Sequence, residues 1–170
     1  MTTVIAGIDP GVSGAIAVVA YEDANHYVIT TLEDLPTSAG PKGKVTDVCT
    51  LRYHLLCCKP AVVVVEYPMW AKHDGAVQSS TAWQNFGRVA ATIELCCNEY
   101  VEQFIQVSPV TWKADMGLTL GHLADRKQKK AHSLAVARKL FGTEPYLKRV
   151  KDHDRGEALL LTYWGFSHAT

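Results

Sequence analysis

Residues 4–14 read VIAGIDPGVSG, an apolar run that ends in the acid Asp9 and passes into a glycine-rich turn. A second apolar run follows at residues 15–20. Apolar runs separated by Gly and Pro predict a strand, a tight turn and a second strand. The first predicted strand therefore ends in a carboxylate, although Asp9 could also serve only to support the turn at Pro10.

Acids also stand at the ends of two other predicted elements. The apolar run at residues 61–65 ends in Glu66. A further acidic group stands at the start of the last predicted helix: Asp152, Asp154 and Glu157. A carboxylate at the end of a buried strand needs a partner or a metal. Acidic sites that are far apart in sequence, each at the end of an element, suggest carboxylates gathered around metal ions.

The rest of the chain predicts alternating strands and helices. Strands are predicted at residues 4–9, 14–20, 27–33, 61–66 and 102–107, and helices at residues 45–58, 78–99, 124–141 and 153–166. Ser108 and Pro109 predict the capped start of a short helix through Trp112. Loops are predicted at residues 34–44, 67–77 and 142–151. A meander of three strands followed by alternating units implies an α/β fold, a five-stranded mixed sheet flanked by helices.

Length and composition predict one soluble domain over residues 1–170, with 48% hydrophobic and 20% charged residues. No apolar run reaches the roughly 18 residues of a membrane span, and we expect no signal peptide. Five cysteines occur without CxxC spacing. Free thiols in an intracellular, reducing compartment (a bacterial or phage-infected cytoplasm, or an organelle matrix) are therefore favoured over a zinc site.

The net charge of zero hides an uneven distribution. Residues 113–151 hold ten Lys and Arg against three acids, whereas residues 1–112 hold six against eleven. A basic segment beside an acidic one suggests a polyanionic partner near a metal site. A solvated basic helix would explain the same pattern.

Carboxylates gathered in one place need cations. Two of them ~4 Å apart repel by roughly 4 kcal/mol at an effective dielectric near 20. Oxygen ligands suit magnesium or manganese better than zinc, and two such ions can activate a water and stabilise the leaving oxygen of a phosphodiester. These carboxylates therefore suggest phosphodiester chemistry.

The spacing of the last acidic group leaves its roles open. Asp154 and Glu157 are three residues apart and share one helix face. Asp152 shares that face only if the helix begins after it, and it could equally be a helix cap. His153 is a further potential ligand. Glu157 could also be a first-turn acid favoured by the helix dipole.

These motifs resemble those of RuvC-type Holliday junction resolvases, and the form is most similar to the phage and organellar branch. The resemblance rests on residues 7–15, the strand end at Glu66, and residues 107–113, 130–141 and 152–159. The blocks occur in the family's order and span nearly the whole chain. The block at residues 152–159 has Gly156 where alanine is common in the family.

The resemblance implies an RNase H-like fold, a homodimer and cleavage of branched DNA. The implied activity is that of a crossover junction endodeoxyribonuclease, which nicks four-way junctions in symmetric pairs and leaves 5′-phosphate ends. It implies two magnesium ions per active site, with manganese as a substitute. The implied ligands and catalytic acids are Asp9, Glu66, Asp154 and Glu157, with Asp152 and His153 competing with Asp154 for the fourth position.

Candidate DNA contacts lie on the basic helix and in one loop. Lys127 and Lys130 fall on the same side of the helix as the apolar stripe, so we expect both to border a cleft. Lys130 matches the family's lysine near the scissile phosphate, where a cation stabilises transition-state charge. Further candidate contacts are Lys113, Lys129 and Trp70, the last of which could stack on an unpaired base.

Two other classes of function remain as alternatives. One is a junction-binding protein that does not cut, against which the intact acids argue. The other is an actin-like ATP-binding domain, which also begins with a strand, an acid and a glycine turn. That class usually needs a second domain and further glycine-rich loops, and we expect neither in these 170 residues.

Overall fold

The computed structural model describes residues 1–10, 13–40, 43–67, 80–121 and 124–169. Its strands are β1 (Thr3–Asp9), β2 (Ala15–Tyr21), β3 (Tyr27–Asp34), β4 (Thr37–Gly40), β5 (Gly43–Thr46), β6 (Val62–Glu66) and β7 (Gln103–Val107). Its helices are α1 (Val48–Cys58), α2 (Ser80–Tyr100), α3 (Pro109–Asp115), α4 (Arg126–Phe141) and α5 (His153–His168), with a 3₁₀ turn at Val150–Asp152. Within these ranges no helix has both the length and the apolar character needed to cross a bilayer.

Five strands form the main sheet, in the order β3-β2-β1-β6-β7. The first three form an antiparallel meander, and β6 and β7 run parallel to β1. The valine run of β6 is buried because this strand lies between β1 and β7 with helices on both sides. The predicted five-stranded mixed sheet flanked by helices is confirmed.

The alternation of residues along the central strands divides the core between the two faces of the sheet. Ile5 and Val64 pack with residues of α3, α4 and α5 on one face. Ile8 and Val65 pack with residues of α1 and α2 on the other. Because side chains alternate in a strand, apolar residues at successive positions bury both faces of β1 and β6.

Helix α5 lies unusually close to the sheet because glycine occurs at the points of contact. An ideal Cβ built on Gly7 of β1 would stand 2.2 Å from the backbone oxygen of Ala158, and one on Gly165 would stand 2.5 Å from Val64 Cγ2. The Cβ on Gly165 would also stand 3.3 Å from Ile5 Cγ2, so α5 runs antiparallel to β1. The amino end of α5 therefore meets the carboxyl end of β1, where Asp9 stands.

The prediction of a plain loop at residues 34–44 was wrong, because this segment enters a small antiparallel hairpin made of β4 and β5. Each strand of the hairpin has only four residues and no apolar alternation, so periodicity could not reveal it. The helix predicted from residue 45 begins at Val48, since the Asp47 side chain accepts from the amides of Cys49 and Thr50 as an N-cap.

The other differences between the predicted and observed elements are smaller. The predicted loop at residues 142–151 runs into the 3₁₀ turn, and the short helix capped by Ser108 extends to Asp115. The predicted loop at residues 67–77 falls outside the described residues after Tyr67. All five cysteines are free thiols, as their spacing predicted.

Candidate active site

The predicted acids at the strand ends meet at one edge of the sheet. Strands β1 and β6 are parallel neighbours, with Ile8 paired to Val65. The next residues, Asp9 and Glu66, are the last of their strands and therefore lie side by side. In α/β proteins, ligands bind in the crevice at the carboxyl ends of adjacent parallel strands, and Asp9 and Glu66 both lie at such ends.

Glu66 is held by the helix that follows β7. Trp112 Nε1 donates to Glu66 Oε2 at 2.8 Å, and the glutamate side chain is 17% exposed. Burial raises the pKa of Glu66; the nearby Lys113 lowers it, and the negative charges of Glu157 and Asp154 raise it further. The net shift in the pKa of Glu66 is upward, and burial is its largest cause. Sequence reasoning treated Trp112 only as the end of a short helix and missed its partner.

Lys113 brings a positive charge into this cluster. Its Nζ donates to both carboxylate oxygens of Glu157 at 3.0 Å and lies 3.8 Å from Glu66 Oε2. Burial lowers the pKa of Lys113, but the charges of Glu157, Glu66 and Asp9 more than offset this and raise it. The ammonium therefore stands among three of the predicted acids. Sequence reasoning had placed it only on a DNA-binding surface.

A second group of polar side chains joins α4 to the start of α5. Lys130 Nζ donates to Asp154 Oδ1 at 3.1 Å, and His153 Nδ1 lies 2.7 Å from the same oxygen. The Asp154 side chain is 14% exposed, and its charge acts on Glu66. The two groups of side chains therefore belong to one site.

The flanking lysines of α4 differ from Lys130. Lys127 and Lys129 are exposed, whereas Lys130 is partly buried. The predicted apolar stripe of Leu134, Ala137 and Phe141 is buried against α5 and the sheet. Only Lys130 of these three lysines therefore reaches the carboxylates of the site.

Asp152 is engaged elsewhere. Its carboxylate accepts from the Arg149 backbone amide and from Arg149 Nε, both at 2.8 Å, and its side chain is 2% exposed. Burial raises the pKa of Asp152, but the bonds from Arg149 outweigh this effect and lower it. Its side chain does not cap α5. Asp152 thus closes the 3₁₀ turn, and Asp154 is the acid directed to the site.

The donor set suits a hard divalent cation, since it consists of carboxylates with one imidazole beside them. Burial and, to a smaller degree, the charges of Glu157 and Asp154 raise the pKa of Glu66, and a bound cation would relieve both effects. Lys113 partly meets this need. Within the described ranges, no three acidic, His or Cys side chains stand close enough together to ligate one ion as they are placed. Trp70 lies outside the described residues.

Comparison with solved structures places this fold among RuvC-type proteins. RuvC of T. thermophilus in complex with a Holliday junction substrate gives a TM-score of 0.67 at 19% identity, covering 98% of this chain and 95% of that chain. Thermus thermophilus RuvC gives 0.63 with the same 19% identity and coverage of 98% and 95%. The yeast mitochondrial Holliday junction resolvase Ydc2 gives 0.57 at 16% identity, covering 98% and 79%.

No protein-family model matches the chain, and no curated protein matches it by sequence. The similarity therefore lies in the fold, which is the RNase H-like fold of the RuvC-type proteins, as predicted.

Proposed function

We propose that this protein is a magnesium-dependent endonuclease that resolves four-way DNA junctions, a crossover junction endodeoxyribonuclease of the phage and organellar branch of RuvC-type resolvases. One observation carries the proposal: Glu66 and Glu157 meet at the Lys113 ammonium, at 3.8 and 3.0 Å, beside the strand end that carries Asp9. The fold supports the substrate class, since one protein that shares it was solved with a Holliday junction.

Asp9, Glu66, Asp154 and Glu157 would hold two magnesium ions, with manganese as a substitute. Bound metal would supply an activated water and stabilisation of the leaving oxygen. Neighbouring side chains of the protein hold these carboxylates in position. Trp112 fixes one oxygen of Glu66, and Lys113 holds Glu157 and offsets part of the negative charge.

Lys130 and His153 act on the fourth acid. Both contact Asp154 Oδ1 and so restrict the orientation of its carboxylate. We assign the Lys130 ammonium a second role beside the scissile phosphate, where a fixed cation stabilises the charge that develops in the transition state. Lys127, Lys129 and Trp70 remain candidate DNA contacts.

The proposed reaction makes paired symmetric nicks that leave 5′-phosphate ends. Two such nicks at symmetric positions of the junction call for two active sites, so we propose a homodimer, with residues 1–170 of each subunit forming one nuclease domain. The free cysteines are compatible with a reducing, intracellular location.

A nicking assay on a synthetic four-way junction tests the proposal. The wild-type protein should cut in magnesium or manganese, should not cut in calcium, and should lose activity as Asp9→Asn. Junction binding with no metal-dependent nicking would instead identify a binding protein that does not cut. Turnover of ATP without DNA would point to the actin-like class.

Lys130→Ala should slow cleavage by roughly 100-fold, because it removes a cation that acts on the transition state. Its affinity for the junction should change much less. Single-turnover cleavage and gel-shift titration measure the two effects. Lys129→Ala, on the exposed side of the same helix, should lower the affinity for the junction more than the cleavage rate. A larger loss of affinity than of rate for Lys130→Ala would make this lysine an ordinary backbone contact.

The choice between Asp154 and Asp152 can be tested in the same way. Asp154→Asn should lower the cleavage rate by roughly 100-fold or more, because it removes one of the carboxylates proposed to hold the metal ions. Asp152→Asn should instead cost about 1–3 kcal/mol in the free energy of unfolding, since Arg149 loses a charged acceptor. Urea denaturation and junction cleavage separate the two. A greater loss of cleavage for Asp152→Asn would show that Asp152 is the ligand.

A further inference from the structure

We propose that a basic groove beside the acids binds the sugar–phosphate backbone of one DNA arm. This proposal rests on the nuclease function proposed above and extends it to the path of the substrate. The groove is a cavity of about 720 Å³. Its walls come from the turn after β1 at Ser13, from the hairpin at Thr37 and Lys44, and from Arg149 and Lys151.

The groove is continuous with the candidate active site. Lys130, His153 and Asp154 are part of its lining, and these are the residues that join α4 to the start of α5. The hairpin begins next to the turn that follows Asp9, because the Leu35 amide donates to the Gly14 carbonyl at 2.8 Å. A DNA strand that lies along the groove would therefore reach the carboxylates of the candidate active site.

The groove carries more positive charge than its own acids can neutralise. Its two acids already have partners: Asp154 accepts from Lys130, and Asp34 accepts from Arg155 Nε at 2.7 Å. Lys44 and Lys151 are both exposed, and neither forms an ion pair with a carboxylate in the part of the chain that the structure describes. These two ammonium groups are available to an anionic ligand.

Hydrogen bonds hold both walls in place. Arg138 Nε donates to the Leu147 carbonyl at 2.7 Å, and Arg149 is bonded to the buried Asp152. At the base of the hairpin, the Asp47 amide donates to the Pro36 carbonyl at 2.7 Å. These bonds fix the backbone that carries the lysines, which reduces the entropy lost when a ligand binds.

The chemistry of the lining indicates a backbone ligand. The described lining residues include no Trp, Tyr or Phe, so only the His153 ring and the Arg149 guanidinium could stack on a base. They offer ammonium, guanidinium and hydroxyl groups, which contact phosphates. A duplex arm with regularly spaced phosphates meets several of these groups at once, and its binding should depend steeply on salt.

The test measures junction binding against salt concentration, in calcium, for the wild type and for Lys44→Gln combined with Lys151→Gln. Each lost phosphate contact should reduce the slope of log affinity against log salt by about 0.9, so this double variant should lose about 1.8. Its affinity at low salt should fall about tenfold or more.

Lys59→Gln combined with Lys139→Gln is the matched control, because it removes the same charge from exposed positions outside the groove. Its slope should equal that of the wild type. If the two double variants lost equal amounts of slope, or if both kept the wild-type slope, the groove would not be the site that binds the DNA backbone. Failure of the wild type to nick junctions in magnesium would count against the nuclease function alone. The salt dependence of binding would still test whether the groove binds DNA.

Discussion

Glu66→Gln should abolish cleavage of a four-way junction and leave junction binding intact. The amide keeps the size of the side chain and can still accept from Trp112 Nε1, so the packing at the end of β6 is preserved. It removes a negative charge from the cluster in which metal and phosphate would meet. We expect the single-turnover rate to fall by at least about 10²–10³-fold.

The electrostatics of the site give this variant a second expected property. The pKa of Glu66 is raised by burial and by the charges of Glu157 and Asp154. A raised carboxyl pKa means that ionised Glu66 opposes folding at neutral pH. Without metal, the Glu66→Gln protein should therefore be at least as resistant to urea as the wild type.

Glu102→Gln is the matched control, because Glu102 is exposed and lies just before β7, at the opposite edge of the sheet from the site. It should cut and bind as the wild type does. If Glu66→Gln lost junction affinity and folding stability together with cleavage, Glu66 would be a structural residue.

The sequence was most informative where one pattern constrained several levels of structure. The apolar runs that end in Asp9 and Glu66 predicted both the central strands and the position of an acid at each strand end. Parallel pairing of β1 and β6 then brings these acids together without further information. The long apolar runs were readable because both faces of these strands are buried.

Other parts of the site depend on tertiary contacts that spacing does not encode. Trp112 and Lys113 reach Glu66 and Glu157 only because α3 docks directly after β7. Which of Asp152 and Asp154 faces the site depends on where α5 begins. Asp152 is the last residue of the preceding 3₁₀ turn, and α5 begins at His153. The hairpin beside the groove has strands too short and too polar to be predicted from periodicity.

The close contact between α5 and β1 leads to the second large expected effect, in Gly7→Ala. A Cβ at this position would stand 2.2 Å from the Ala158 oxygen and 2.9 Å from the Thr162 nitrogen. Both are backbone atoms of a buried helix, so no side chain can rotate to relieve the overlap. Helix α5 must move away from the sheet, and overpacking of this kind costs about 3 kcal/mol.

Cleavage by Gly7→Ala should fall further than its loss of stability explains, because α5 carries Asp154 and Glu157 while β1 carries Asp9. Urea denaturation measures the first effect, and cleavage by the fraction that remains folded measures the second. Gly87→Ala is the control, since a Cβ on Gly87 of α2 would meet nothing within 4 Å. That change should raise stability by up to about 1 kcal/mol through helix propensity. Wild-type stability and cleavage in Gly7→Ala would show that the spacing between α5 and β1 does not set the geometry of the acids.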